Sequence, residues 1–561
     1  MSKILNYKFL ILFLILIIAA FLRLYNLTPQ VGGLPPGLYP DEAMDGNNAL
    51  EGFKIFYPEN NGREGLFMNI QAVFLKVLMP LTGGNPEPWM LRIVSAIFGI
   101  LTVLGVYFLA KELFRENPKS EILNSKQITN PNDLNSKRFR ILNFKNWNLF
   151  SISNFEFRIS RSQKIALLAS FFLATSFWHI NFSRISFRAI MAPFFMVWAL
   201  YFLLKGLNSE KYKLASIIGG IFLGLGLHSY IAFRAMPLLI IIVWIFYWLK
   251  NKDKEFRKKI ITSATLFTIS ALIVFAPLGI YFLKNPADFF GRTAELSITH
   301  SATPLNDLGM NIIKTAAMFN FVGDFNWRHN FAGSPELFWP VGIFFFIGIF
   351  LAVKYLIQSS KFKVQNDNVK LKIDSPQANT EILHFDLYIL IFWLIIAALP
   401  VVISNEGIPH ALRAILMAPP VFILASVGGL YIYELVKNAM TRHSTIWVFK
   451  VFIFIFLSIL LFQAYYTYFI KWGQNPNVQG AFSADYVAIG RQLNSLPKEL
   501  PKYVVVEASG VDVRGIPMPA QTVMYITDTF LPEKQKEKNI HYVLPSQINE
   551  IPPGSYVVTL K

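Results

Sequence analysis

The chain has 561 residues, of which 54% are hydrophobic, 15% aromatic and 15% charged, with 53 Phe and a formal charge of +18. A soluble domain carries roughly a quarter charged residues, so the balance excludes an ordinary soluble protein and points to lipid as the solvent. Cysteine is absent, which excludes disulfides, thiolate catalysis and Cys-based metal sites. The basic residues gather between apolar runs, so the charge calls for no nucleic-acid partner.

Lys3 and Lys8 precede an apolar run from Phe9 to Phe21. No small-x-small cleavage site follows before Arg23, Leu24 and Tyr25, so the run reads as an uncleaved first helix. A span needs roughly 20 apolar residues. Runs near that length lie at 8–24, 89–110, 165–181, 189–205, 214–231, 235–249, 261–283, 337–357, 384–403, 412–435 and 447–470. The fold class is therefore a polytopic α-helical membrane protein of about eleven transmembrane helices.

Orientation follows from the basic residues. With the N-terminus cytoplasmic, one side holds Lys111, Arg115, Lys137, Arg138, Arg140, Arg158, Arg161, Lys164, Lys205, Lys211 and Lys213. It also holds the run Lys250 through Lys259, then Lys361, Lys363, Lys370, Lys372, Lys437 and Arg442. Two insertions on that side, 116–163 and 358–383, lack helical periodicity and read as loosely ordered loops.

Three outward segments are large enough to matter: 25–88, 284–336 and the tail. Residues 1–470 form the membrane part and 471–561 a small extracytoplasmic α/β domain. Within that tail, 485–496 suits an amphipathic helix, while 503–507 and 556–560 suit strands. In the first loop, 64–78 suits a surface helix whose apolar side is Leu66, Phe67, Ile70, Val73, Phe74 and Val77.

The spans hold almost no ionisable residue in mid-helix, which argues against a proton or ion path. The chemistry gathers at the outer ends. Tyr39-Pro40-Asp41-Glu42 sits in a Gly- and Pro-rich setting. Two adjacent carboxylates cannot face the same way, so one can meet a substrate while the other holds a neighbour or a metal. A helix start after Pro40 explains the same acids through the macrodipole. Further on come Phe56-Tyr57-Pro58-Glu59 and Gly62-Arg63-Glu64-Gly65-Leu66-Phe67-Met68. Arg184 and Arg188, four apart, share a face if helical. Arg234 follows His228 and Tyr230, and Arg413 follows His410. Each arginine suits either a phosphate oxygen, through its fork geometry, or a snorkelling anchor. Several on the side poor in positive charge favour phosphate.

A first helix, an outward loop with Pro40-Asp41-Glu42, and then Gly62-Arg63-Glu64-x-Leu66-Phe67-Met68 resemble the GT-C glycosyltransferases. The nearest branch looks like the bacterial relatives of protein O-mannosyltransferases and of the aminoarabinose transferases of lipid A. That resemblance implies a multi-pass enzyme of the plasma (inner) membrane. It would move a sugar from a polyprenyl-phosphate donor to a glycan, lipid or protein acceptor outside the cytoplasm, with inversion. It implies Asp41 as general base and Glu42 as its positioning partner. Arg63, Arg234 and Arg413, then Arg184 and Arg188, would bind donor phosphate, and Tyr57, Glu64, His228, Tyr230 and His410 would line the substrate site.

No metal or other cofactor is required on this reading, although Asp41 with Glu42 leaves room for a weakly held divalent ion. A double displacement would need a second carboxylate, and nothing in the spacing selects among Glu59, Glu64 and Asp324. Relatives that modify lipid A often have Lys-Pro-Pro-Leu where this chain has Arg63-Glu64-Gly65-Leu66. The trefoil insertion of eukaryotic O-mannosyltransferases is missing, which counts against a protein acceptor. Two other classes use the same features: a flippase of lipid-linked sugars, and a scaffold whose tail, at Val511-Asp512-Val513-Arg514-Gly515, binds partners. The first lacks a visible inverted repeat; the second leaves the carboxylates and arginines unexplained.

Overall fold

A computed structural model describes residues 2–28, 33–60, 62–115, 159–295, 297–365, 377–440 and 443–561. Of the two expected insertions, 358–365 and 377–383, expected as loop, are helical, whereas 116–158 and 366–376 lie outside those residues. So do Lys137, Arg138, Arg140, Arg158, Lys370, Lys372 and Arg442.

The chain opens with α1 (Ser2–Leu24) and α2 (Pro40–Glu51). A short antiparallel hairpin, β1 (Phe56–Tyr57) and β2 (Arg63–Glu64), leads to α3 (Leu66–Leu78) and α4 (Pro88–Leu113). Next come α5 (Arg161–Ala174), α6 (Phe177–Arg184), α7 (Met191–Leu207), α8 (Tyr212–Leu227), α9 (Met236–Lys250) and α10 (Lys254–Lys284). They are followed by α11 (Pro286–Glu295), α12 (Pro304–Ala317), α13 (Trp339–Gln365), α14 (Gln377–Val402), α15 (Ala418–Ala439) and α16 (His443–Tyr465).

Among the described residues seven helical stretches are long and apolar enough to cross a membrane, or eight if α5 and α6, bent by 58° at a short break, make one span. The chain is a multi-pass helical membrane protein. The three remaining expected spans coincide with α1, α8 and α14, whose apolar stretches Phe9–Leu24, Tyr212–Leu227 and Leu387–Val402 are shorter.

The break between α5 and α6 frees carbonyls that lipid cannot satisfy. Arg23, at the end of α1 and fully buried, takes them: its guanidinium donates to Ala174 O at 3.0 Å and Leu173 O at 3.3 Å. Arg184, at the end of α6, returns the arrangement by donating to Leu22 O at 3.3 Å, Asn26 O at 3.1 Å and Leu34 O at 2.9 Å. Arg23 of α1 thus caps α5, and Arg184 of α6 caps α1, each at a helix C-terminus where a cation also suits the macrodipole.

Helix α8 packs between α7 and α10, and α4 packs on α5 and α7. The contact of α13 with α15 depends on glycine. A Cβ on Gly348 would stand 2.1 Å from Leu424 O, and one on Gly428 2.0 Å from Phe344 O. Small residues at such crossings let backbones close, since lipid tails supply no hydrophobic drive.

Of the expected apolar side of α3, Phe67 is buried and Leu66, Ile70 and Phe74 pack half-buried against the core. The helix also buries Met68, Gln71, Ala72 and Leu75, whereas Val73 and Val77 are 50% and 67% exposed. The helix is apolar nearly all round, so hydrophobicity alone did not mark which side meets protein.

After α16 a π-helical turn at Tyr466–Trp472 and α17 (Pro476–Ala481) pack with Leu22, Ile180 and Ile185. The tail continues with α18 (Ala484–Ser495), β3 (Lys502–Val506), β4 (Asp512–Val513), β5 (Ile516–Pro517), α19 (Ala520–Thr527), α20 (Pro532–Lys538), β6 (Ile540–Val543) and β7 (Tyr556–Leu560). Strands β6, β3 and β7 form a parallel sheet in that order. Helix α19 packs on α18 and on α2, and the Met44 side chain of α2 belongs to the tail's own apolar core.

Candidate active site

Helix α2 starts where Tyr39 is the N-cap, Pro40 occupies the first turn with its preset φ, and Asp41 and Glu42 complement the macrodipole. The helix start that the acids signal after Pro40 is therefore present. Successive helical residues diverge by about 100°, which sends the two carboxylates to different partners.

Glu42 is fully buried. It receives Arg92 in a two-pronged pair, Nε to Oε2 and Nη2 to Oε1, both 3.0 Å. It also accepts Ser186 N–H at 2.7 Å and Tyr39 N–H at 3.3 Å. Arg92 spends its remaining donors on Pro35 O and Gly37 O. Glu42 thereby ties α2 to α4 and to the extended residues after α6.

Asp41 faces the other way and its side chain is 29% exposed, against 2% or less for Glu42, Asp45 and Glu64. Its Oδ1 accepts Arg63 Nη2 at 2.5 Å and Asn60 Nδ2 at 3.0 Å. The other Arg63 prong donates to Asp45 Oδ1 and to Asp41 O. One guanidinium is thus shared by two carboxylates a turn apart. Burial would raise the Asp41 carboxyl, but Arg63 and the hydrogen bonds from Tyr39 and Asn60 outweigh it and hold it below the ordinary aspartate value. At Asp45 burial prevails over Arg63 and Arg188 and pushes the carboxyl up. Burial and the nearby Asp41 push the Tyr39 hydroxyl up to about 12.

The hairpin explains how Arg63 and Glu64 serve different partners, because adjacent strand residues point to opposite faces. Gly62, at φ +75°, makes the turn possible: a Cβ there would meet the Phe56 ring at 2.4 Å. Glu64 accepts Arg234 Nη2 at 2.9 Å, and Arg188 Nε lies 3.4 Å from its other oxygen. Arg234 also donates to Phe289 O at 2.7 Å and lies against the Phe282 and Phe289 rings. Arg188 lies over the Tyr230 ring. Three carboxylates and three arginines therefore form one chain of charge: Asp41, Arg63, Asp45, Arg188, Glu64 and Arg234.

The remaining candidates fall elsewhere. Arg184 and Arg188 do not share a helical face, because α6 ends at Arg184 and Ile185 is extended. Glu42 holds that extended stretch through Ser186 N–H, leaving Arg184 turned into the protein. Arg413 donates to Ser404 Oγ and to Glu406 O. Tyr57 is buried and donates to Gly52 O. His228 Nε2 lies 3.0 Å from Val274 O. His410 stacks on His329 beside Asp324. Of the other carboxylates weighed at the sequence level, Glu59 pairs with Arg514 of the tail at 2.8 Å.

Sequence reasoning missed Asp45, Arg92, Asn60 and His329. Asp45 was accessible, since it lies four residues after Asp41 and so on the same helical face. Arg92 sits at the start of an apolar run, where it reads as an interfacial anchor. Asn60 and His329 lie in irregular segments without periodicity.

A family model described as dolichyl-phosphate-mannose-protein mannosyltransferase matches residues 113–289. That is under a third of the chain. It takes in Arg184, Arg188, His228 and Arg234, and begins after Asp41 and Glu42. The match bears out the resemblance to the protein O-mannosyltransferases. Among solved structures, the apo oligosaccharyltransferase of Archaeoglobus fulgidus is similar at 13% identity and a TM-score of 0.47, over 94% of this chain and 64% of that one. ArnT from Cupriavidus metallidurans bound to undecaprenyl phosphate is similar at 12% identity and 0.44, over 93% and 84%. The S. cerevisiae protein O-mannosyltransferase complex bound to its sugar donor is similar at 16% identity and 0.34, over 58% and 39%. The chain thus spans less than two thirds of the length of the archaeal enzyme. A search of curated proteins finds no match.

Proposed function

We propose that the chain is a glycosyltransferase that moves a sugar from a polyprenyl-phosphate donor to an acceptor hydroxyl, with Asp41 as general base. The observation that carries this reading is the asymmetry of the charged chain. Asp41 pairs with Arg63 yet stays part-exposed, while Glu42, Asp45 and Glu64 are buried against their arginines. Asp41 takes the hydroxyl proton as the acceptor oxygen bonds to the anomeric carbon. The bond from that carbon to the donor phosphate oxygen breaks, the configuration inverts, and polyprenyl phosphate leaves as an anion. Arg188 and Arg234, which share Glu64, are the cations we assign to that developing charge. Arg63 is already occupied by two carboxylates, and its role is to keep Asp41 ionised and aimed. The reaction calls for no metal on the reacting atoms.

We take the chain to make eleven crossings of a plasma membrane, counting α1, α8, α14 and the bent α5–α6 pair as spans. The N-terminus is then cytoplasmic, and α2 and the tail are extracytoplasmic. The sequence-level distribution of Lys and Arg supports that orientation. The sugar, the prenyl length and the choice among glycan, lipid and protein acceptors are left to the assay. In purified protein supplied with a polyprenyl-phosphate sugar and candidate acceptors, Asp41→Asn abolishes release of polyprenyl phosphate without changing folding or membrane insertion. Full activity of that variant would remove Asp41 from the mechanism. Movement of labelled lipid between leaflets without a new glycosidic product would favour a flippase.

A further inference from the structure

We infer that Asp324, His329 and His410 form a binding site for one divalent cation of the zinc class, distinct from the charged chain around Asp41. Among the described residues this is the one group of three such side chains whose ligand atoms gather, all within 4.8 Å of one another. Two imidazole nitrogens and one carboxylate oxygen match the ligand set of three-coordinate protein zinc sites, which leave a fourth position for water or a substrate oxygen. Zinc–ligand bonds of about 2.1 Å on a tetrahedron place ligand atoms about 3.4 Å apart, so an edge as wide as the 4.8 Å limit of the cluster closes by about 1.4 Å when the ion binds.

The geometry of the carboxylate points the same way. Asp324 Oδ1 accepts Asn326 N–H at 2.8 Å, and Oδ2, which accepts Ala411 N–H at 2.9 Å, is the oxygen that faces the two imidazoles. His329 Nδ1 lies 2.9 Å from Oδ2 and His410 Nδ1 lies 3.9 Å from it. The longer distance exceeds a hydrogen bond, yet both Nδ1 atoms face the same oxygen from rings stacked at 4.8 Å and 28°. A cation between them would supply the attraction that orients three such groups on one point. Binding would displace the His329 Nδ1 proton to solvent and take the place of the Arg413 N–H that His410 Nδ1 accepts at 3.4 Å, with both rings then neutral Nε2–H tautomers.

The backbone around the ligands is already fixed, as a preorganised site requires. Ala411 N–H donates to Asp324 Oδ2 at 2.9 Å, and Trp178 Nε1 donates to Ala411 O at 3.0 Å. The Asp324 backbone N–H donates to Glu336 Oε1 at 3.2 Å, and the His329 ring packs against Phe182 and Phe187. The ion would join the loop before α13 to the loop before α15. It would also brace the Asp41 region: Arg328, next to His329, lies 3.9 Å over the Tyr39 ring, and Tyr39 hydrogen-bonds Asp41. This is a positioning site, not part of the proposed transfer chemistry.

The test is metal content, which is independent of any transfer activity. The full-length chain, purified without chelator from zinc-supplemented cells, is analysed by inductively coupled plasma mass spectrometry and then reloaded with Co(II) alone. The site predicts one ion per chain and visible ligand-field absorption, both lost in His329→Gln and in His410→Gln. A parent chain that holds no zinc and gains no Co(II) absorption overturns the proposal. So does undiminished absorption in both variants. If the variants do not fold, the parent chain decides through its melting temperature in zinc against chelator: an increase with zinc supports the site, and identical melting in both overturns it.

Discussion

At the scale of single residues, Asp41 and Glu42 are adjacent acids with different environments, and the difference can be measured. Glu42→Gln leaves the Arg92 charge buried without its partner, which costs about 3–5 kcal/mol and appears as a lower melting temperature. Replacing both partners by apolar residues, Glu42→Leu with Arg92→Met, recovers much of that loss, because no orphaned charge remains. Asp41→Asn lowers transfer about a hundred- to ten-thousand-fold, the range of a general base, with little change in melting. The pH dependence has a definite sign. The folded Asp41 carboxyl is held below its unfolded value by Arg63, Tyr39 and Asn60 against burial. Its contribution to stability is therefore present above the unfolded value and lost as pH falls through the folded one. The acid limb of the rate profile falls below the ordinary aspartate range, and Asn60→Ala moves it upward. The divergence of the two acids was legible from their adjacency. Which acid faced inward was not, because Arg92 and Ser186 are distant in sequence.

At the scale of elements, the apolar runs were the most readable feature, and each coincides with a helix. Breaks and faces were harder. Nothing in the apolar pattern signals that α5 and α6 bend by 58°, since the carbonyls freed at the break are taken by Arg23, some 150 residues earlier in the chain. The face of α3 was legible only in part for a related reason: a helix bordering lipid is apolar on the side that meets protein and on the side that does not. The α13–α15 contact gives an element-scale test. Gly428→Ala places a Cβ against Phe344 O at 2.0 Å before relaxation. The helices must separate, at a cost of about 1–3 kcal/mol, read as reduced melting in detergent.

At the scale of the whole molecule, the tail is fastened to the loop that carries Asp41. Asn47 Nδ2 donates to Gln521 O at 3.1 Å and to Gln521 Oε1 at 2.9 Å. Thr522 Oγ1 donates to Leu38 O at 2.9 Å. Arg514 reaches Glu51 at 3.0 Å and Glu59 at 2.8 Å. The exposed Arg514 pairs are worth about 0–1 kcal/mol, so Arg514→Ala changes melting little. Gly46 carries the close contact, because a Cβ there would stand 2.5 Å from the Tyr525 ring. Gly46→Val therefore loosens the tail from α2, seen as faster proteolytic release of the tail. Helix α18 and strands β3 and β7 were legible from local patterning. Strand β6, which pairs with β3 in the register Lys502 to Ile540, and helix α19 carry no such pattern, and the docking of α19 on α2 depends on residues several hundred positions away.

The central claim is that Asp41 activates an acceptor for attack on a polyprenyl-phosphate sugar. It is tested most directly by mass spectrometry of reactions containing purified protein, a panel of polyprenyl-phosphate sugars and candidate acceptors, with Asp41→Asn run beside the parent chain. The account predicts release of polyprenyl phosphate and a new glycosidic product from at least one donor, both lost in Asp41→Asn. Equal release and product from the variant would contradict it.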